Sequence, residues 1–285
     1  MAELIGGVTE AEEKALWDFS QKVFVSAQVT IEWCTAPLVH MNKEGKAVDH
    51  RTVILIEIAN DRFLITAAHG MGTHFDLDDV PFLLGFERDA PPIPLVRERF
   101  WSTVDDEEDI SVTRLLPETV EAMGTNYGYL HLKDMIPRGS SLHGTGAYLL
   151  LGYPFVMVRP DDVGVKRADP WKYITLPFHG SYNDVSNYDP ELHLILDYKR
   201  NSLNNRGEIV HPLGLSGCGV WLTRNPFTQP VFNFDDFKLV AIQTAWNKQH
   251  QYVKTTWINI VLLIIWKYYP ETRAPMKLNG IDFTG

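Results

Sequence analysis

The chain has 285 residues, 45% of them hydrophobic and 22% charged, which is enough material for a sizeable core. Its 26 Lys and Arg against 36 Asp and Glu give a net charge of −10, and no basic stripe is present to meet phosphates, so no nucleic-acid partner is expected. Cys34 and Cys218 make no disulfide framework and the acidic start lacks a secretory pattern, so a reducing, cytoplasmic setting is expected.

Taken in chain order, Thr9 and Glu12 form a capping box, and Ala11, Ala15, Leu16 and Phe19 follow on one helical face. This predicts a short helix over about residues 10–20. The character then changes to short runs rich in β-branched and aromatic residues: VFVSAQVTIEW (Val23–Trp33), TVILIEI (Thr52–Ile58) and RFLITAA (Arg62–Ala68). The turn-like stretches NKEGK and AND separate them. DISVTRLL, AYLLLGYP, LHLILDY, CGVWLT and FKLVAIQTAW continue the pattern. Many short strands with few helices between them predict a barrel or sandwich rather than a parallel sheet. GTNYGYLHLKDMIPRGSSLHGTG (Gly124–Gly146) reads as a joint between an earlier and a later set of strands. RPDDVGVKRADP and HGSYNDVSNYDP read as surface excursions beside a site. Near the C-terminus WINIVLLIIW (Trp257–Trp266) is too short to span a bilayer and predicts a buried helix, with no membrane partner.

Three stretches carry chemistry. FLITAAHG (Phe63–Gly70) ends a buried strand in His69 among small neighbours, a placement that presents a base at the rim of a cleft. HPLGLSGCGVW (His211–Trp221) sets Ser216 among glycines, where the backbone can turn sharply and aim the N–H groups of Gly214 and Ser216 at one point, as an oxyanion hole requires. An orienting carboxylate is expected from DDEEDISVTRLL, where Asp109 adjoins an apolar segment and can be partly buried against a histidine, with Asp106 as the second choice. The ten histidines are scattered, and His69 with His74 lacks the glutamate and spacing of a zinc peptidase, so no metal and no cofactor are expected. His74, His179, His193 and His211 read as surface or loop residues.

With TAAH (Thr66–His69), DISVTRL and GLSGC (Gly214–Cys218) in this order, the sequence resembles the trypsin-like, chymotrypsin-fold serine peptidases of stand-alone intracellular type from about Val23 to Trp266. The resemblance implies an all-β fold of two antiparallel six-stranded β-barrels, with a short N-terminal helix and a C-terminal helix. One peptidase domain over residues 1–285 would comprise a helical extension (1–22), a first barrel (23–124), a linker (125–146), a second barrel (147–256) and a C-terminal helix and tail (257–285). It implies Ser216 as nucleophile, His69 as general base and acid, Asp109 as the holder of the imidazole, and the N–H groups of Gly214 and Ser216 as the oxyanion hole. The implied substrate is a protein or peptide, with a regulatory protein partner a further possibility. The position of the family's pocket floor is Val210, and LVAIQTAW, with Thr244, Ala245 and Trp246, resembles the strand that pairs with substrate. Either Ala245 or Trp246 then lines the pocket, which suggests cleavage after small or modest apolar residues.

The chain departs from the family in having Cys218 where the second glycine after the serine stands, and Leu215 where many secreted members have aspartate. LIGGV (Leu4–Val8) looks like the start that those members expose by proteolysis, but reads here as a turn before the helix. Two other readings compete. One is an esterase using Ser216, Asp236 and His250, which fits the chain order of an α/β-hydrolase but lacks its G-x-S-x-G elbow. The other is a peptidase fold retained as an inactive binding module.

Overall fold

The computed structural model describes residues 10–41, 47–70, 82–83, 92–95, 101–102, 107–140, 147–160, 166–198, 211–223 and 236–284. The chain opens with helix α1 (Glu10–Thr30), followed by a 3-10 turn at Glu32–Cys34. This corrects the expected strand over Val23–Trp33. The β-branched residues there favour a strand locally, but Phe19, Val23, Ala27 and Ile31 recur every four residues and all are buried. Val25 and Val29, on the other side, are 64% and 77% exposed. Burying Phe, Val and Ile is each worth about 1.5–3 kcal/mol, well above the few tenths by which propensity separates helix from strand. The helical stripe wins.

Strands β1 (Thr35–Met41), β2 (Ala47–Ile58), β3 (Asp61–Ala67), β4 (Phe82–Leu83), β5 (Ile93–Pro94), β6 (Trp101–Ser102) and β7 (Ile110–Arg114) form an antiparallel sheet in the order β5-β4-β1-β2-β3-β7-β6. Helix α2 (Pro117–Met123) follows. The second half begins with β8 (Tyr148–Gly152), then a separate hairpin pairs β9 (Val158–Pro160) with β10 (Lys166–Ala168). Strands β11 (Trp171–Thr175), β12 (His193–Asp197), β13 (Gly219–Thr223), β14 (Phe237–Asn247) and β15 (Tyr252–Trp257) join β8 in a six-stranded antiparallel sheet, ordered β11-β8-β13-β14-β15-β12. Helices α3 (Ile258–Tyr268) and α4 (Arg273–Leu278) close the chain.

The architecture is therefore mostly β, with two antiparallel sheets consistent with two barrel-like halves and helices toward both ends, as the strand pattern leads one to expect. The first sheet counts seven strands because three two-residue segments join its longer strands. The near-continuous apolar run of β2 is buried on both sides. Val53 and Leu55 pack inside the first half, whereas Ile54, Ile56 and Ile58 join a larger core shared with α1, α3 and the second sheet. Alternate residues of one strand thus feed two cores. The segment between the sheets crosses from one to the other: Leu130 bridges Ile56, and Met135 bridges Leu239. Among the described residues no helix is long and apolar enough to cross a membrane.

Candidate active site

β3 runs apolar from Phe63 to Ala67 and ends in a 3-10 turn, Ala68–Gly70, that carries His69 out of the sheet. Ala68 N–H donates to Asp109 O at 2.9 Å, so the turn is pinned to the residue just before β7. The Asp109 carboxylate grips His69 twice, accepting from the backbone N–H at 2.7 Å through Oδ1 and lying 2.6 Å from Nδ1 through Oδ2. A carboxylate at Nδ1 selects the tautomer with its proton there, which leaves the Nε2 lone pair free to accept. Both hydrogen bonds described for His69 go to Asp109, and none joins the imidazole to Ser216. The His69 side chain is 45% exposed and that of Asp109 22%, so the pair stands at a surface with the acid on its inner side.

Asp109 adopts a φ of 51°, in the left-handed region that Asp tolerates better than most residues. The second half holds this bend in place. Thr256 Oγ1 donates to Glu108 O at 2.5 Å, and His193 Nε2 lies 3.1 Å from Glu107 O. His193 is therefore not the expected surface residue: it sits on β12, 2% exposed, and its Nδ1 accepts from Asp189 N–H at 3.1 Å. Burial lowers its pKa below the ordinary histidine value, which keeps the ring neutral in this role. His179 pairs with Asp197 at 3.1 Å on an exposed loop, and His211 is exposed. Asp106 and His74 lie outside the described residues.

Ser216 sits on a turn just before β13, half-buried between Leu215 and Gly217, which are both buried. Gly214 and Gly217 each have a φ of 91°, a conformation that side chains resist. At Gly217 a Cβ would also run into Thr66 Oγ1 and Thr52 O, so the turn lies directly on β2 and β3. Thr66 is three residues before His69, which brings the serine turn and the base to the same strand end.

The peptide groups of this turn are almost all engaged. Leu213 O accepts from Phe155 N–H at 2.7 Å, and Leu215 N–H donates to Pro212 O at 2.9 Å. Leu215 O accepts from Cys218 N–H at 2.7 Å, Ser216 O accepts from Thr52 N–H at 3.2 Å, and Gly217 N–H donates to Gln243 O at 2.8 Å. Gly214 O accepts from Thr52 Oγ1 at 2.9 Å. Leu213 N–H donates to His211 Nδ1 at 3.3 Å, and within residues 213–218 the N–H groups of Gly214 and Ser216 have no acceptor among the described residues. In a trans peptide N–H and C=O point in opposite directions, so anchoring Leu213 O to Phe155 and Leu215 O to Cys218 turns each of these two donors away from the group that holds its carbonyl partner. Such a pair of fixed donors can meet a developing negative charge.

Gln243, two residues before Ala245, accepts from Gly217 N–H and donates its own N–H to Cys218 O at 2.9 Å, so β14 supports the turn from behind. A bulge follows between Gln243 and Ala245. Thr244 is buried there with Oγ1 on Lys254 O at 3.3 Å. Ala245 and Trp246 are half-buried, and the Trp246 ring meets that of His211 edge-on at 5.0 Å. Val210 lies outside the described residues. The esterase alternative loses its geometry. Ser216 leads into strand β13 rather than a helix, and Asp236 and His250 flank the two ends of the 11-residue β14. At 3.3 Å per residue those ends are roughly 35 Å apart, too far for an acid–base pair.

Thr52, which bonds to both Gly214 O and Ser216 O, gave no sequence signal, because these contacts join distant segments. Gln243 had one, a polar side chain inside the apolar run LVAIQTAW. Among the described residues no group of three or more His, Cys, Asp and Glu is placed to hold a metal ion.

No family model matches the chain, and no curated protein matches it in sequence. Among solved structures it is similar to the thermostable serine protease AL20 from an extremophilic microorganism, at 10% identity and a TM-score of 0.46, over 79% of this chain and 91% of that one.

Proposed function

We propose that the chain is a trypsin-like serine endopeptidase of chymotrypsin fold, hydrolysing peptide bonds in protein or peptide substrates. The observation that carries this reading is the pairing of His69 Nδ1 with Asp109 Oδ2 at 2.6 Å beside a serine turn in which the N–H groups of Gly214 and Ser216 have no acceptor among the described residues. Ser216 Oγ attacks the scissile carbonyl carbon and passes its proton to His69 Nε2. The carbonyl π electrons move to oxygen, whose charge the N–H groups of Gly214 and Ser216 receive. Collapse breaks the C–N bond, and the proton on Nε2 goes to the leaving amine. Water then attacks the acyl ester in the same way, gives its proton to His69, and releases the acid with Ser216 restored. Asp109 holds the imidazole and stabilises its charged form throughout.

Specificity for small or modest apolar residues follows from Val210, which offers no carboxylate to a Lys or Arg side chain. Thr244, Ala245 and Trp246 form the strand proposed to pair with the substrate backbone. In the cytoplasmic setting proposed here, unrestricted proteolysis would be harmful, so narrow specificity or a restraining protein partner belongs to the proposal. A second reading, the fold as a binding module, draws on the absence of a hydrogen bond between the imidazole and Ser216. Catalytic hydrogen bonds often form only with substrate present, so the first reading stands. A fluorophosphonate probe separates the two. Labelling of the full-length protein that disappears in Ser216→Ala supports the peptidase, and no labelling of the wild type would exclude it.

A further inference from the structure

We propose that Thr52 is a positioning residue for the oxyanion turn, the strut through which the first half of the protein holds the donors of the second half in their working orientation. The inference rests on the peptidase reading and adds a residue to it. Thr52 lies in the middle of β2, fully buried, and touches none of the groups that would react. Each of its polar atoms is used across the seam between the halves or toward the base. Oγ1 donates to Gly214 O at 2.9 Å and accepts from Tyr153 N–H at 2.9 Å. Its N–H donates to Ser216 O at 3.2 Å, and its carbonyl accepts from Thr66 Oγ1 at 2.9 Å.

The consequence is geometric. Gly214 contributes its N–H through the peptide that joins it to Leu213 and its C=O through the peptide that joins it to Leu215. Phe155 N–H fixes the first peptide, and the second is held at its C=O by the Thr52 hydroxyl and at its N–H by Pro212 O, so rotation about Gly214 is blocked from both sides. Without the Thr52 hydroxyl the second peptide keeps only its bond to Pro212 within the same turn, nothing ties it to β2, and a glycine at a φ of 91° can shift with that turn and carry its N–H away from the site. The same residue bonds to Ser216 O, on the peptide that follows the Ser216 donor, so both residues that supply the donors are tied to one point on β2. Thr66 then links that point to the strand bearing His69. A single threonine relates the nucleophile turn to the base.

His50, two residues earlier on the same face of β2, supports the arrangement. Its Nε2 is hydrogen-bonded to Tyr153 O, and a Cβ on Gly214 would come within 2.7 Å of its ring. Tyr153 is thereby held at its carbonyl by His50 and at its N–H by Thr52. Gly152, just before it, would bring a Cβ to 2.9 Å from Thr52 Oγ1, so the glycine leaves the space that the hydroxyl occupies.

The test uses the full-length protein and p-nitrophenyl acetate, an activated ester that acylates a serine nucleophile without demanding a particular peptide sequence. Thr52→Val keeps the side-chain shape and removes the hydroxyl. It is expected to lower kcat ten- to a hundredfold with KM within about threefold, because donors that act in the transition state are misplaced while the substrate cleft is intact. Thr52→Ser restores the hydroxyl and should return kcat to within about threefold of wild type. Thr52→Ala reads the same loss should the valine variant not fold. Wild-type kcat in Thr52→Val or Thr52→Ala, a loss confined to KM, or a serine variant no better than valine would each overturn the inference. Ser216→Ala run alongside separates the two levels: if it is silent while Thr52→Val matches wild type, only the role of Thr52 falls. If the wild type itself does not turn over, the peptidase reading and the strut fall together.

Discussion

Cys218 occupies the space that a side chain at Gly152 would need: a Cβ built on Gly152 would stand 2.6 Å from Cys218 Cβ. The two residues are neighbours across the sheet, Gly152 at the end of β8 and Cys218 just before β13. Cys218 is the residue that departs from the glycine expected after the serine turn. The structure accommodates the extra side chain by omitting one across from it.

This pairing makes a double-substitution prediction. Gly152→Ala should destabilise the protein by about 1–3 kcal/mol in urea unfolding, the range for forcing atoms into a packed core. Combining it with Cys218→Gly should recover part of that loss. The recovery is partial because the new methyl would still meet Thr52 Oγ1 at 2.9 Å and Leu215 Cδ2 at 3.1 Å. Strict additivity of the two changes would show that the sites are not coupled.

Cys218 is also predicted to be chemically quiet. It is fully buried, and burial pushes its thiol pKa far up, so little thiolate exists near neutral pH. Native protein should resist iodoacetamide at this position, whereas unfolded protein should react. Cys218→Ser should keep measurable turnover on p-nitrophenyl acetate. Turnover falling to the level of Ser216→Ala would assign the cysteine a part in the chemistry.

The Asp109 carboxylate contacts both the ring and the backbone of His69, so Asp109→Asn should leave the fold in place and spoil the tautomer. An amide can donate to Nδ1 and thereby put the proton on Nε2, where no base is then available. The expected loss in kcat is about 10³–10⁴-fold, with KM little changed. Activity within tenfold of wild type would remove Asp109 from the mechanism.

What the sequence made legible follows from how local each feature is. The strand bearing His69 was readable because RFLITAA is apolar and β-branched and stops at small residues. Asp109 was readable because an acid next to an apolar segment is placed for partial burial, and β7 does begin at Ile110. The N-terminal helix was under-read because Val23, Val25 and Val29 favour a strand on local grounds. Only the tertiary contacts of Phe19, Val23, Ala27 and Ile31 reveal the helical period. Strands β1, β11 and β15 were not singled out either. β1 contains Pro37, and β11 and β15 each carry a lysine that interrupts the pattern. Least legible was the seam. Thr52 looks like any β-branched residue of a strand until Gly214, 162 positions later, is placed against it.

A pH prediction follows from His50. Its imidazole is 2% exposed, and burial lowers its pKa from 6.5 to about 4, although the Tyr153 carbonyl and nearby Asp49 favour the charged form. A histidine whose folded pKa lies below its unfolded value binds its proton more readily when unfolded. Its contribution to stability is therefore complete above about pH 6.5 and is lost as pH falls toward 4, by about 3 kcal/mol in all. His50→Gln keeps an N–H for the Tyr153 carbonyl and cannot titrate. Unfolding free energies from urea titrations at pH 7 and pH 4 should fall more steeply for wild type than for the variant, by about that amount. Equal slopes would show that His50 does not carry the linkage.

The final prediction concerns activation. Secreted members of the proposed family order their oxyanion hole when a new N-terminal ammonium pairs with the aspartate before the serine. Here that position is Leu215, fully buried and packed in the apolar core of the second half. An ammonium brought there would be unpaired, at a cost of several kcal/mol. The turn has its own anchors instead: Phe155 N–H on Leu213 O, Thr52 Oγ1 on Gly214 O, and Gln243 O on Gly217 N–H. None of them depends on a free amino terminus, and LIGGV at residues 4–8 lies outside the described residues. Protein beginning at Met1, verified uncut by mass spectrometry, should therefore turn over p-nitrophenyl acetate as fast as protein cut at Leu4–Ile5. Leu215→Asp should fail to confer dependence on cleavage and should lower stability, because it buries a carboxylate with no partner in an apolar cluster. Activity that appeared only after cutting at Leu4–Ile5 would mean that the anchors seen here are not enough to form the site.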